Sequence, residues 1–287
     1  MGKIIIIGSG PAGISASLYA VRAGIETIIL TTGSSSLLKA KEIENYYAYE
    51  NPISGEELLE EGMKQARRLG VSILDEEVVG ISFTDRLTLT TQENEYQGDA
   101  VIIATGSARN TPKIKDLVRY EGIGVSYCAV CDGFFYKGKN VGVLGAGDYA
   151  LHEALELLPI AGQVTLLTNG VERSGQLPDG IKLDERPIES FQGDDVLKSI
   201  TFQDGDTLEL SGVFIAQGVA GSADLARKLG AETEGNKIIV DSQMATNIPG
   251  LYAAGDCTGG MLQIAKAVYQ GAEAATSAIK LVREMTK

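Results

Sequence analysis

The sequence GSGPAG at residues 8–13 decides the fold, because it joins an apolar run to a segment of small residues. Ile4–Ile7 predicts a short buried strand, and Ile14–Ala23 predicts a helix that packs closely on a sheet. Gly24 ends this helix, and Thr27–Leu30 predicts the following strand. A strand, a helix and a second strand in this order form a βαβ unit, which opens a parallel sheet.

The same pattern returns in the middle of the chain. Asn140–Leu144 predicts a strand, GAGDYA at residues 145–150 a glycine turn, and Leu151–Leu158 a helix. Val164–Leu167 predicts the strand that follows. Two βαβ units with glycine turns predict an α/β protein with two Rossmann-like dinucleotide-binding domains, each of the three-layer ββα type.

The order of the remaining strands predicts that one domain is inserted into the other. Ala100–Ala104 reads as a buried strand that ends at Thr105–Gly106, and residues 250–256 repeat this strand-then-glycine form. A last helix is expected from Gln263 to Glu284. We therefore expect a discontinuous first domain, residues 1–111 and 242–287, with the second domain at residues 112–241.

Composition excludes several classes of function. The net charge of −13 argues against nucleic acid as a partner, because neutralising phosphates requires a basic surface. No stretch approaches the roughly 18 apolar residues of a membrane span. The short run after Met1 lacks the pattern of a signal peptide. Three cysteines, two of them in a C-x-x-C, suit an intracellular redox motif, and we expect a cytoplasmic protein.

The first glycine turn fits the fingerprint G-x-G-x-x-G. Its glycines permit the turn, the approach of backbone to a pyrophosphate and the packing of helix on strand, and the phosphates lie at the helix N-terminus. The alternative is a plain glycine turn. An acidic residue that would hold the ribose is missing, because TTG stands at residues 31–33. Asp256 alone would be a helix cap, but beside the fingerprint it is interpreted as a ligand of a cofactor hydroxyl.

The pair Cys128 and Cys131 is the sharpest chemical signal. Its spacing lets the two sulfurs reach disulfide distance, and a helix start beside them would lower the pKa of one thiol. The alternatives are half of a zinc site or two buried thiols. Zinc requires about four ligands, and only Cys257 and His152 remain as candidates, so we expect no metal. Asp132, next to the pair, either exchanges a proton with a thiol or caps a helix.

Together these motifs resemble one family. The fingerprint at residues 8–13, Thr105–Gly106, CAVCDGFF at residues 128–135 and AAGD at residues 253–256 are similar to the low-molecular-weight thioredoxin reductases, from end to end of the chain. The resemblance implies FAD on the first domain, a homodimer, and thioredoxin as the partner. It implies that Cys131 faces the flavin, Cys128 attacks the disulfide of thioredoxin, and Asp132 is the general acid.

The resemblance also implies which residues hold FAD. They lie in the glycine turns, at strand ends and at the start of the last helix. They are Gly8, Ser9, Gly10, Pro11, Ala12, Asn45, Thr105, Gly106, Asp256, Gln263, Ile264 and Ala265. The chain departs from the family at residues 35–37, which read SSL where a Gly-Gly-Gln segment is expected.

The second glycine turn lacks the signs of NADPH binding. Arginines should follow its second strand to pair with the 2′-phosphate, and NADH would require an acid there. The strand ends instead in TNGVE at residues 168–172, with Arg173 as the nearest cation and Glu172 beside it. Tyr149 either fills the space of the pyrophosphate or packs on the sheet, and His152 is interpreted as a surface residue of the helix.

These losses resemble the ferredoxin-dependent flavin thioredoxin reductases, which keep the fold and the cysteine pair without recognising a pyridine nucleotide. On this interpretation an iron–sulfur protein, ferredoxin, reduces FAD directly. Three alternatives remain. They are an NADPH-dependent thioredoxin reductase, an oxidase of small dithiols, and a non-enzymatic redox sensor in which the cysteines act as a switch.

Overall fold

The computed structural model describes residues 2–106, 112–173, 176–218 and 221–285. The chain divides into two compact units. Unit 1 comprises Met1–Ala108 and Gly221–Lys287, and unit 2 comprises Arg109–Ala220. Each unit contains a parallel five-stranded sheet and a smaller antiparallel one. The predicted α/β fold class is confirmed.

The described residues form eighteen strands and six α-helices. The strands are β1 Lys3–Ile7, β2 Glu26–Thr31, β3 Ser72–Asp75, β4 Gly80–Phe83, β5 Leu87–Thr90, β6 Glu95–Gly98, β7 Ala100–Ile103, β8 Val125–Ser126, β9 Asn140–Leu144, β10 Gln163–Leu167, β11 Ile181–Asp184, β12 Ile188–Gly193, β13 Leu197–Phe202, β14 Thr207–Glu209, β15 Gly212–Ile215, β16 Thr233–Glu234, β17 Lys237–Ile238 and β18 Leu251–Ala253. The helices are α1 Pro11–Arg22, α2 Gly55–Arg68, α3 Ala129–Asp132, α4 Asp148–Leu157, α5 Ser222–Lys228 and α6 Ile264–Met285.

Unit 1 has three layers, and the central one is a parallel sheet with the strand order β18-β7-β1-β2-β3. Alternate residues of β1 point to opposite faces of this sheet. Ile4 and Ile6 join a core cluster with residues of α1 and α6. On the other face, a Cβ atom at Gly98 in β6 would lie 3.0 Å from Ile5. The parallel sheet is therefore covered by helices on one face and by the antiparallel sheet β4-β5-β6 on the other.

Small residues let α1 and α6 approach closely. Ala267, Ala274, Ala275 and Ala278 are buried along one face of α6. A Cβ atom at Gly271 would lie 2.1 Å from the carbonyl oxygen of Ala12, which no side chain permits. The backbones of the two helices are therefore in contact at this point.

Unit 2 repeats the design with the strand order β11-β10-β9-β15-β8 and the antiparallel sheet β12-β13-β14. Leu144 and Val213 of the parallel sheet share a core with Phe191, Ile200 and Phe202 of the antiparallel one. Helix α4 follows β9, and α3 packs against α4.

The division of the chain differs from the expected one at the second boundary. We expected the inserted domain to end at residue 241, whereas unit 2 ends at Ala220. Helix α5 packs on β4, and Lys228 donates a hydrogen bond to the carbonyl oxygen of Val79 at 3.1 Å. Residues 221–241 thus belong to unit 1, which the sequence pattern of this segment did not reveal. The expected first boundary adjoins residues 107–111, outside the described ranges.

Among the described residues, no helix has both the length and the apolar character that crossing a membrane requires.

Replacing Gly271 by alanine tests the close contact of α1 and α6. Because the new methyl group would overlap the Ala12 carbonyl, the helices must move apart, and we expect the midpoint of thermal unfolding to fall by about 5 °C. Gly62→Ala is the matched control, since its methyl group would meet only the side chain of Ile14 in α1, at 3.2 Å. Equal midpoints for the two variants would contradict this packing.

Candidate active site

Three predicted cofactor segments meet at one edge of the parallel sheet of unit 1. Strands β1, β7 and β18 are neighbours and run parallel, so their carboxyl ends share this edge. The fingerprint turn follows β1, Thr105–Gly106 follows β7, and Gly255–Asp256 follows β18. The chain crosses from β1 to β2 on one side and reaches β7 on the other, and ligands of open α/β sheets bind at such a switch point.

The glycines of the first turn have the geometry that a pyrophosphate site requires. Gly8 has φ +104°, and a Cβ atom there would lie 2.6 Å from the carbonyl oxygen of Ala104. A Cβ atom at Gly13 would lie 1.9 Å from the carbonyl oxygen of Gly8. At Gly10, by contrast, a Cβ atom would meet no atom within 4 Å. The backbone at Gly10 is thus open to a ligand at the start of α1, where Pro11 is the first helical residue, and these residues fit FAD.

The residues flanking the turn hold it in place. Ser9 is buried, and its hydroxyl shares a 2.8 Å hydrogen bond with Thr31 Oγ1 at the end of β2. Thr31 Oγ1 also accepts a hydrogen bond from the amide of Gly33 at 3.1 Å. The threonine that stands in place of the ribose-binding acid therefore stabilises the glycine turn.

The predicted residues outside the turns lie near the start of α6. Asn45 Nδ2 donates a hydrogen bond to Gln263 Oε1 at 3.0 Å, so these two predicted ligands contact each other. Ile264 is the first residue of α6, and Ala265 is exposed in its first turn.

Ser222, the first residue of α5, contacts the turn that follows β7. Its hydroxyl lies 2.6 Å from that of Thr105 and donates to the carbonyl oxygen of Gly106.

Lys266 organises the turn around Asp256 and was not singled out from the sequence. Its ammonium group donates to the carbonyl oxygen of Gly255 at 2.8 Å and to that of Gly259. Burial lowers the pKa of this ammonium group, and the nearby carboxylate of Asp256 opposes the shift. A lysine one turn into α6 thus ties the Gly255–Gly259 turn to the helix.

The third cysteine, Cys257, is buried and takes no part in a disulfide. Its thiol donates to the carbonyl oxygen of Ala254 at 3.3 Å. Burial raises the pKa of this thiol to about 12, so it stays protonated at neutral pH. Within the described ranges, no group of three His, Cys, Asp or Glu side chains is arranged to hold a metal ion.

In unit 2, Cys128 and Cys131 form a disulfide, with an S–S distance of 2.11 Å and a Cα–Cα distance of 5.3 Å. Cys128 is the N-cap of α3 and is only 3% exposed, whereas Cys131 is exposed. The Cys131 amide donates to Cys128 Sγ at 3.2 Å. A hydrogen bond of this kind stabilises negative charge on the sulfur that accepts it.

Two buried side chains hold the backbone and the acid of the cysteine segment. Ser126 Oγ donates to Asp132 Oδ2 at 2.6 Å and accepts from the Cys128 amide at 3.2 Å. Glu153 Oε2, on α4, accepts from the Ala129 amide at 2.7 Å. Sequence reasoning missed both residues.

The sequence did contain a signal for Glu153, because this acid shares a helix face with Ala150, Ala154 and Leu157, which are all buried.

The phenol of Tyr136 lies near the charge of Asp132. Burial, and then the Asp132 charge, raise the pKa of that phenol.

Large exposed apolar side chains lie in the chain segment that carries Cys131. Val130, Phe134 and Phe135 are 51%, 74% and 69% exposed and belong to the same segment as Cys131. Large apolar side chains this exposed are typical of surfaces that contact another protein.

The second glycine turn borders a small cavity of about 280 Å³. Among its described lining residues, which include Gly145, Gly147, Thr168 and Glu172, there is no lysine or arginine. The side-chain oxygen of Asn169 accepts a 2.6 Å hydrogen bond from the Ile188 amide. This side chain therefore stabilises the backbone at the start of β12.

Tyr149 and His152 are the two residues of α4 that the sequence singled out. Tyr149 is 2% exposed and is not among the described residues that line the cavity, so it packs in the interior instead of filling the pyrophosphate space. His152 lies 3.7 Å from the Glu156 carboxylate, one turn along the same helix.

Comparison with known proteins agrees with this geometry. Residues 2–271 match the family described as pyridine nucleotide-disulphide oxidoreductase. A thioredoxin reductase of Aquifex aeolicus (strain VF5) is 36% identical over 273 residues, which cover 88% of this chain and 84% of that protein.

Two solved structures are similar over nearly the whole chain. The atypical thioredoxin reductase TRi from Desulfovibrio vulgaris Hildenborough has a TM-score of 0.93 and 43% identity, with 99% of both chains covered. A ferredoxin-flavin thioredoxin reductase from Clostridium acetobutylicum has a TM-score of 0.71 and 31% identity, with 99% of this chain and 98% of that one covered. The chain therefore belongs to the pyridine nucleotide-disulphide oxidoreductases and, among them, to the thioredoxin reductases, which are FAD-binding flavoproteins.

Proposed function

We propose that this chain passes electrons through FAD to the Cys128–Cys131 disulfide and on to thioredoxin, and that reduced ferredoxin is the electron donor. The observation that carries the proposal is the disulfide at the start of α3, in which Cys128 Sγ accepts a hydrogen bond from the Cys131 amide and Asp132 follows directly. FAD, when bound, accepts electrons singly and delivers them as a pair. The residues that would hold it are the predicted set at the strand ends of unit 1 and at the start of α6.

The cysteine chemistry is a dithiol–disulfide exchange. The Cys128 thiolate attacks one sulfur of the thioredoxin disulfide, which forms a mixed disulfide and releases the other sulfur as a thiolate. Asp132, held by Ser126, supplies a proton to that leaving thiolate. The Cys131 thiolate then attacks Cys128 Sγ, which restores the enzyme disulfide and releases reduced thioredoxin. Two electrons pass to thioredoxin in each cycle.

Two observations support a donor other than NADPH. The described residues that line the cavity at the second glycine turn include Glu172 but no cation to pair with a 2′-phosphate. One structure similar to this chain is a ferredoxin-flavin thioredoxin reductase. NADPH dependence is the second candidate, because the glycine turn itself is retained. Four further expectations stay predictions. They are the homodimer, the cytoplasmic location, the binding of FAD to unit 1 and the nucleotide-binding type of fold in unit 2.

Single serine substitutions test the roles of the two cysteines. We expect Cys128→Ser and Cys131→Ser each to abolish thioredoxin reduction while FAD stays bound, because its predicted ligands lie in unit 1. After reduction of the variant, only Cys131→Ser should form a stable mixed disulfide with oxidised thioredoxin. This variant retains the attacking sulfur of Cys128 but lacks the sulfur that would resolve the adduct. Gel electrophoresis without reductant measures this adduct. An adduct with Cys128→Ser alone would reverse the two roles, and near-normal turnover by either variant would refute them.

Anaerobic mixing with alternative donors tests the electron source. The oxidised enzyme is mixed separately with excess NADPH, excess NADH and reduced ferredoxin, and the flavin absorbance is followed. We expect ferredoxin to bleach the flavin and to support turnover with thioredoxin. NADPH should act at least about a hundredfold more slowly, since each missing cationic contact to its 2′-phosphate costs about 1.5–3 kcal/mol. NADH should also act slowly, because Thr168 and Asn169 stand at the strand end where an acid would hold its ribose. Fast bleaching by NADPH would establish the alternative.

Dithiol oxidation and a sensor role have separate signatures. An oxidase would consume oxygen with small dithiols and ignore thioredoxin. A sensor would fail to reduce thioredoxin whichever electron donor is supplied.

A further inference from the structure

Glu153 is a buried carboxylate to which the exchange chemistry above assigns no step. It is 1% exposed on α4, inside unit 2. Burying a carboxylate is unfavourable unless other groups compensate it. Here Oε2 accepts a hydrogen bond from the Ala129 amide, at the first residue of the helix that Cys128 caps. The acid is therefore directed at the backbone between the two sulfurs.

The Ala129 amide is one of the donors at the start of α3, and such donors stabilise a neighbouring thiolate. Glu153 accepts from this amide and so places a carboxylate next to the chain segment that carries Cys128. Cys128 Sγ keeps the Cys131 amide, at 3.2 Å. The carboxylate therefore opposes a second negative charge close to it.

The oxidised and reduced pairs respond differently to this charge. Reduction of the disulfide takes up two electrons and one proton and yields one thiol and one thiolate, or two protons to yield two thiols. The disulfide is neutral, whereas the thiolate is repelled by a nearby carboxylate. A carboxylate at this position thus disfavours the reduced pair relative to the disulfide.

We propose that Glu153 is a positioning residue that, through the Ala129 amide, lowers the reduction potential of the Cys128–Cys131 pair. A lower potential makes the reduced pair a stronger reductant toward a partner disulfide. The inference rests on the proposed redox role of the pair. Its test reads the pair directly, so its failure is distinguishable from failure of thioredoxin turnover.

The test uses the complete FAD-loaded enzyme and Glu153→Gln, which keeps an amide acceptor of the same shape and removes the charge. Enzyme is equilibrated anaerobically at pH 8 with mixtures of reduced and oxidised dithiothreitol, quenched in acid and alkylated after unfolding. Cys257 contributes one alkylated thiol in every state, so the two further thiols report the pair. We expect the equilibrium constant to shift about tenfold toward the dithiol, which corresponds to about 30 mV for a two-electron couple.

Glu156→Gln is the matched control, because it removes the same charge from the same helix at a residue whose carboxylate is 42% exposed. Its equilibrium should stay within twofold of the natural enzyme. A purely structural role of Glu153 would lower the midpoint of thermal unfolding without moving the equilibrium of the folded protein. An equilibrium of Glu153→Gln that matches Glu156→Gln overturns the proposal.

Glu153→Asp covers the case in which Glu153→Gln does not fold. It keeps the charge but shortens the side chain, so the hydrogen bond to the Ala129 amide is lost or lengthened. We expect a shift in the same direction of about threefold. An unchanged equilibrium in this variant also overturns the proposal.

Discussion

The contact between Gly13 and the carbonyl oxygen of Gly8 determines the arrangement of unit 1. The space for a Cβ atom at Gly13 is filled by that oxygen at 1.9 Å, so only glycine lets α1 begin directly at the end of β1. This approach directs the start of α1 toward the sheet edge where β7 and β18 also end. The predicted FAD residues meet there because the turn brings helix and strand so close together.

Unit 2 repeats the glycine turn and the parallel sheet of unit 1. A Cβ atom at Gly145 would lie 2.1 Å from the carbonyl oxygen of Ala216 after β15, just as one at Gly8 would lie 2.6 Å from that of Ala104 after β7. Its cavity is small and its described lining includes no cation, while α4 carries Glu153 against the cysteine segment. Helix α4 thereby supports the backbone between the two cysteine sulfurs.

Much of the fold was predictable because glycine turns and apolar runs are local signals. Ile4–Ile7 and Asn140–Leu144 were expected as strands, and they lie within or coincide with β1 and β9. The end of the inserted unit was not predictable, because the position of α5 depends on packing against β4, far away in sequence. Tyr149 was open to two interpretations from sequence, and only its burial distinguishes them.

The cysteine pair was predictable from its spacing, but the side chains that support it were not. Ser126 and Glu153 act through backbone amides of the segment, and nothing in the spacing of the cysteines requires a serine or a glutamate there. Lys266 is a similar case, since its partners are carbonyl oxygens that every residue possesses. Side chains that bond to backbone leave no pairing pattern in a single sequence.

The central claim is that the disulfide and FAD belong to one electron path, and an anaerobic titration with dithionite tests it most directly. The flavin absorbance is followed to complete reduction in the natural enzyme and in Cys131→Ser, which retains FAD but has no disulfide within the chain. The account predicts that the natural enzyme takes up two more electrons per chain than the variant, because electrons that enter at the flavin also reduce the disulfide. Equal uptake by the two proteins would show that the disulfide receives no electrons from the flavin, and would contradict the account.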